Sequence, residues 1–176
     1  MSYITFKITD NKLTVTHKVI NTNDEEMYFS IGAHPAFNCN LGDTLTFEYD
    51  ETLYSERIDR DSVITGDKDL ILQNSNKIEI TEHLFDKDAL IFPNVKSNYV
   101  ILNEKKAGKH IRFTLGDSPF LAIWAKPAAP FVCIEPWYGV NDSYEKATDF
   151  SKKRGIQKLS SGKEFEFSWS AEFKED

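Results

Sequence analysis

Apolar and polar residues alternate one by one along much of this chain. Ile4, Phe6 and Ile8 are separated by polar residues, and Leu13, Val15, His17 and Val19 follow in the same rhythm. The period returns at Leu45, Phe47 and Tyr49, at Ile78 and Ile80, and at Ile111, Phe113 and Leu115. It returns last at Phe165, Phe167, Trp169, Ala171 and Phe173. Successive side chains of a strand point to opposite faces, so a period of two predicts strands with one buried face. Turn formers punctuate these runs: Asp10-Asn11, Asn21 to Asp24, Gly42-Asp43, Gly66-Asp67, Gly108 and Ser161-Gly162. Helical signals are few. Asp149 to Arg154 reads as one or two turns, capped by Asp149 and ended by Gly155, and Thr81 to Asp88 as a shorter turn. The pattern predicts an all-β protein, an antiparallel β-sandwich, with residues 1–176 as one domain and no repeat or linker. Alternation already runs from Tyr3 to Ile8. A sandwich that starts so abruptly reads as N-terminally truncated, with strand edges left unpaired. Such edges favour self-association, so a homo-oligomer is expected.

Composition narrows the partners. Of the 176 residues, 40% are apolar and 28% charged, as in ordinary soluble domains. A net charge of −7 argues against nucleic acid or an anionic membrane surface, which attract clustered positive charge. The pairs Lys105-Lys106 and Lys152-Lys153 are too short for a phosphate patch and read as solvated surface. Cys39 and Cys133 form no CxxC, so neither a zinc ribbon nor a redox motif is indicated. With no signal peptide and no run long enough to cross a bilayer, the chain reads as cytoplasmic with reduced thiols. Aromatic residues reach 13%, which suits sheet packing and equally a sugar site, where rings stack on C–H faces.

Two stretches carry candidate chemistry. In FVCIEPWYGVND, residues 131–142, strand geometry points Phe131, Cys133 and Glu135 to one face and Val132 and Ile134 to the other. Pro136, lacking an N–H, should then stop the ladder. A carboxylate half shielded there should have its pKa raised, as a general base working near neutrality needs. The alternative is a strand-end glutamate in water or in an ion pair. In IGAHPAFNCN, residues 31–40, Pro35 pushes His34 toward extended geometry, and Gly32 permits a close backbone approach. The result is a stiff loop presenting one imidazole. A histidine satisfied in the core is the alternative here. His17 reads as packing, His83 as part of a turn, and His110 as the start of a strand. None has metal-ligand spacing, so no metal site is expected.

IGAHPAFNCNL, LFDKDALIF and IWAKPAAPFVCIEPWYGVND together resemble the aldose 1-epimerase (galactose mutarotase) family, most nearly its lactose-operon X-protein branch. The likeness runs from about Leu13 to Trp169. It implies a galactose-mutarotase-type antiparallel sandwich that binds a monosaccharide such as galactose or glucose and interconverts its anomers without a cofactor. It also implies His34 as general acid on the ring oxygen and Glu135 as general base on the anomeric hydroxyl. An acidic residue between them in sequence binds sugar hydroxyls in that family, and Asp88 is the candidate here, with Asp86 close behind. Phe37, Trp124 and Trp137 are candidates for a stacking wall, Trp137 foremost, although core filling is the commoner fate of such rings. Asn38 is a candidate contact whose other reading is to hold its own loop. Family members are longer. Their earlier strands supply a second histidine and an arginine, in a stretch like His-Gly-Phe-Ala-Arg that does not occur here. Two further classes are set beside the mutarotase: a non-catalytic carbohydrate- or protein-binding domain, and a glycosidase. The last needs two carboxylates across the scissile bond, and only Glu135 has a strong positional claim.

Overall fold

The computed structural model describes residues 1–105, 108–127, 129–145 and 147–175, so Lys106 lies outside the described residues. β1 (Ser2–Thr9) and β2 (Lys12–Ile20) form the first hairpin, turned by Asp10 in the left-handed region. Three short strands follow: β3 (Met27–Phe29), β4 (Ile31–Gly32) and β5 (Ala36–Asn38). β6 (Thr44–Ile58) and β7 (Ile64–Glu79) make a long, irregular hairpin. The remaining strands are β8 (Leu90–Pro93), β9 (Tyr99–Asn103), β10 (Lys109–Thr114), β11 (Phe120–Trp124), β12 (Phe131–Tyr138), β13 (Gln157–Leu159) and β14 (Glu164–Glu175). Among the described residues the helical content is one 3-10 turn, Phe150–Lys152, where the Asp149 carboxylate accepts from the Ser151 N–H. No helix there is long and apolar enough to cross a membrane.

One antiparallel sheet holds twelve strands in the order β1-β2-β14-β10-β9-β6-β8-β11-β12-β4, with β5 also on β12 and β7 on β6. β3 and β13 form a separate two-stranded ribbon. The sheet folds over on itself. β12 lies six strand spacings from β14, roughly 29 Å if flat, yet Tyr138 of β12 sits 4.7 Å from Phe167 of β14, centroid to centroid. Phe37 of β5 likewise meets Phe113 of β10 at 5.7 Å, and Trp169 stacks on Phe113 at 5.3 Å. The space between the two halves is the core. It takes Phe47, Phe92, Phe113, Leu121, Val132 and Ile134, all essentially inaccessible. His17 belongs to it too, stacked on Phe167 at 4.6 Å and accepting from Trp169 Nε1–H, and burial lowers its pKa.

Alternation then decides which face of β12 holds the candidate chemistry. Val132, Ile134 and Tyr138 enter the core. Cys133, Glu135 and Trp137 therefore face the opposite side of the sheet. At the sheet edge, β1 leaves Ile4, Phe6 and Ile8 exposed on the face that Val15 and His17 continue into the core.

Two expectations are corrected. Gly66-Asp67 does not end a strand. It lies within β7, where Gly66 takes a φ of +93° and the pairing with β6 shifts register between Glu56 and Ile58. An irregularity inside a long hairpin uses the same residues as a turn. Pro136 does not stop β12, which runs on to Tyr138. Its carbonyl accepts from Ala33 N–H at 3.1 Å. Its nitrogen faces the same side and forgoes only the reciprocal bond to Ala33, in the gap between β4 and β5, so the strand continues.

Candidate active site

β4 and β5 both pair with β12 and share one register. Gly32 is opposite Trp137, Ala36 opposite Cys133, and Phe37 opposite Val132. That register carries position 34 directly opposite position 135, although Ala33, His34 and Pro35 themselves lie between the two short strands. Directly opposed residues of antiparallel strands have Cβ atoms about 4.5–5.5 Å apart, on the same face. The imidazole and the carboxylate close that gap: His34 Nδ1 lies 2.9 Å from Glu135 Oε1. At this separation one proton sits between them.

The two members differ in exposure. The His34 side chain is 60% exposed and that of Glu135 only 5%. Glu135 Oε2 accepts from the Trp137 indole N–H at 3.1 Å. Burial pushes the Glu135 carboxyl up to about 7, and the Trp137 bond pulls it part of the way back. With Nδ1 on Glu135, the exposed Nε2 is the ring nitrogen left to meet a ligand. The Trp124 ring stands edge-on to His34 at 6.0 Å, and Phe131 lies 6.0 Å beyond Trp124.

His34, Glu135 and Trp137 line an open depression of about 450 Å³, together with Ser30, Asn141 and Lys153. That volume is within the usual range for small-molecule sites. Lys153 is paired with Asp142 at 2.7 Å. Neither Lys153 nor Ser30 had a sequence signal, since a loop lysine and a loop serine look like ordinary surface. Cys133 completes the arrangement. Its Sγ, a ring nitrogen of His34 and a carboxylate oxygen of Glu135 lie within 4.8 Å of one another, a donor set able to take a metal ion.

The other candidates are distributed unevenly. Asp88 and Asp86 line a neighbouring depression that Trp124 also borders. Asp86 is bound to His83 Nδ1 at 2.9 Å. Asp88 is exposed and accepts the local N–H of Ala89 at 2.7 Å. Phe37 is corrected from wall to core: alternation along β5 turns its ring inward onto Phe113, and it is buried. Asn38 faces the Glu135 side but is opposite Phe131, roughly 13 Å along β12 from Glu135.

Gly32 is required by contact. A Cβ there would meet Trp137 Cδ1 at 2.8 Å and the Pro136 carbonyl at 3.3 Å. Gly32→Ala should therefore push the indole off Glu135, cost about 1–3 kcal/mol by overpacking, and slow any turnover roughly 10- to 100-fold. Urea melts and rate measurements on the same preparation check this. Unchanged values for both would contradict the contact.

The aldose 1-epimerase family model matches residues 2–168. The chain belongs to the aldose 1-epimerase family. It is 30% identical over 167 residues to the plasmid and chromosomal LacX proteins of Lactococcus lactis subsp. lactis, covering 89% of this chain and 56% of each relative. A galactose mutarotase related enzyme from Lactobacillus acidophilus superposes with a TM-score of 0.88 at 28% identity, over 97% of this chain and 60% of the other. A galactose mutarotase-like protein from Lactobacillus casei gives 0.87 at 29%, over 97% and 62%. This aldose 1-epimerase family member thus spans less than two thirds of the length of these relatives.

Proposed function

We propose that this chain interconverts the α and β anomers of a hexose such as galactose or glucose, with His34 as acid and Glu135 as base. The observation that carries the reading is the direct opposition of an exposed imidazole and a buried carboxyl at 2.9 Å. Glu135 takes the proton from the anomeric hydroxyl O1, the C1–O5 bond breaks, and O1 becomes the aldehyde oxygen. His34 Nε2–H delivers a proton to O5. Rotation about C1–C2 presents the other carbonyl face and the steps reverse. Performing both transfers together avoids a free alkoxide, and a base near pH 7 suits the task. Asp88 is proposed as the carboxylate that holds sugar hydroxyls, since Asp86 is engaged by His83. Trp124 and Trp137 supply apolar faces. Asn38 is proposed to act at the far end of the same face or to hold its loop. The two buried free thiols accord with a reducing, cytoplasmic setting.

The test is polarimetric. Freshly dissolved α-glucose or α-galactose should lose optical rotation faster with this chain than without it. A rate that Glu135→Gln leaves unchanged would remove the reading. A second reading is favoured by one observation, that the Trp137 ring lines the open depression: a domain that binds sugar without turnover. It predicts a saturable change in Trp fluorescence with no change in optical-rotation decay. No sugar-dependent change would remove it.

A further inference from the structure

His34 and Glu135 are not alone on their face of the sheet. Cys133 precedes Glu135 by two residues on β12, so its thiol points the same way. It is 2% exposed, and Glu135 is 4% exposed. The three donor atoms lie within 4.8 Å of one another. Two come from one strand and the third from the short segment opposite, whose exposed imidazole is the member with room to swing. Tetrahedral zinc, with Zn–S near 2.3 Å and Zn–N or Zn–O near 2.0–2.2 Å, sets donors about 3.3–3.6 Å apart. Donors already within 4.8 Å of one another reach those separations by small side-chain rotations. The carboxylate is also oriented as metal ligands are, because its second oxygen is tied to the Trp137 N–H.

We propose that His34, Cys133 and Glu135 form a three-ligand site for Zn²⁺, with the fourth position open to the depression. The donor set selects the ion: one thiolate, one imidazole and one carboxylate suit zinc and disfavour magnesium or calcium. Binding displaces the thiol proton and the proton held between Nδ1 and Oε1, and both pass to solvent past the exposed imidazole. No electron moves. Burial pushes the Cys133 thiol up to about 11, a cost that a bound cation overcomes by deprotonating the sulfur outright. On the mutarotase reading, occupancy takes the acid and the base together, so Zn²⁺ switches the site off.

Cobalt serves as the spectroscopic probe. Anaerobic titration of the chain with Co²⁺ should give a thiolate-to-cobalt charge-transfer band in the near ultraviolet and the visible bands of a four-coordinate ion. Cys133→Ala should abolish the charge-transfer band, and Cys39→Ala, at the other buried thiol, should keep it. His34→Ala, a change at an exposed side chain, should weaken Zn²⁺ in calorimetry by more than the 10- to 100-fold typical of outer-shell changes. A missing band at saturating Co²⁺, a band kept by Cys133→Ala, or one lost in Cys39→Ala would each overturn the proposal. The readout needs no turnover. Mutarotation without a band sinks only the metal site, and a band without mutarotation sinks only the catalytic reading.

Discussion

Glu135→Gln should slow catalysed mutarotation by about 10²- to 10⁴-fold, the usual contribution of a positioned general base, and should leave the protein more stable at pH 8. Both effects have one origin. An amide of the same shape cannot take the O1 proton, and it also carries no charge to bury. The carboxyl is raised from 4.5 to about 7 in the folded chain, so the native state holds this proton more tightly than the unfolded one. Its contribution is fully present below pH 4.5, falls as pH rises through that window, and is gone above about pH 7. The loss is at most about 3 kcal/mol. Urea melts at pH 4 and pH 8 should show the parent losing stability over that interval and Glu135→Gln losing less. Parallel pH curves for the two proteins would contradict the buried, uncharged carboxyl.

Glu51→Ala should be the costliest substitution away from the site. Glu51 lies within β6 and is 5% exposed. Its Oε1 accepts the Ser97 N–H at 2.9 Å and the Ser97 hydroxyl at 2.5 Å, and its Oε2 accepts the Lys96 N–H at 3.1 Å. These bonds fasten the connection between β8 and β9 to the middle of the sheet. Alanine would orphan all three donors, and the two on buried Ser97 are each worth about 1–3 kcal/mol when left unpaired. The expected loss is roughly 3–5 kcal/mol, a large part of the 5–15 kcal/mol that holds a typical domain together. A shift in the urea midpoint equivalent to less than 1 kcal/mol would show that the carboxylate is not what holds the connection.

The legible parts of the fold are those with one buried face. β2, β10 and β14 alternate because each has a core side and a wetter side, whereas β1 alternates with every residue exposed. β8 and β11 are buried on nearly every residue, so Leu90 to Phe92 and Phe120 to Ile123 read as short apolar runs that periodicity cannot assign. The β6–β7 hairpin was obscured differently: Glu51, Ser55 and Glu56 are buried polar residues inside it. Glu56 is matched by Arg154, 98 residues away, at 2.8 Å. Such pairing leaves no local trace in sequence.

The candidate site divides in the same way. That Cys133 and Glu135 share a face follows from strand period alone, and so does the inward turn of Phe37 once β5 is recognised. The meeting of His34 with Glu135 does not follow, because nothing local encodes the register of β4 and β5 on β12. It entered through the family resemblance. The donor set of the proposed zinc site was invisible for the same reason, since its spacing exists only across the sheet.

A double-mutant cycle in the polarimetric assay tests the pairing of His34 and Glu135 most directly. The rates to compare are those of the parent chain, His34→Ala, Glu135→Gln and the double variant, on one fresh anomer. If the two groups exchange a proton with the sugar as a unit, the double variant should be no slower than the slower single variant. Losses that simply multiply, or single variants as fast as the parent, would contradict it.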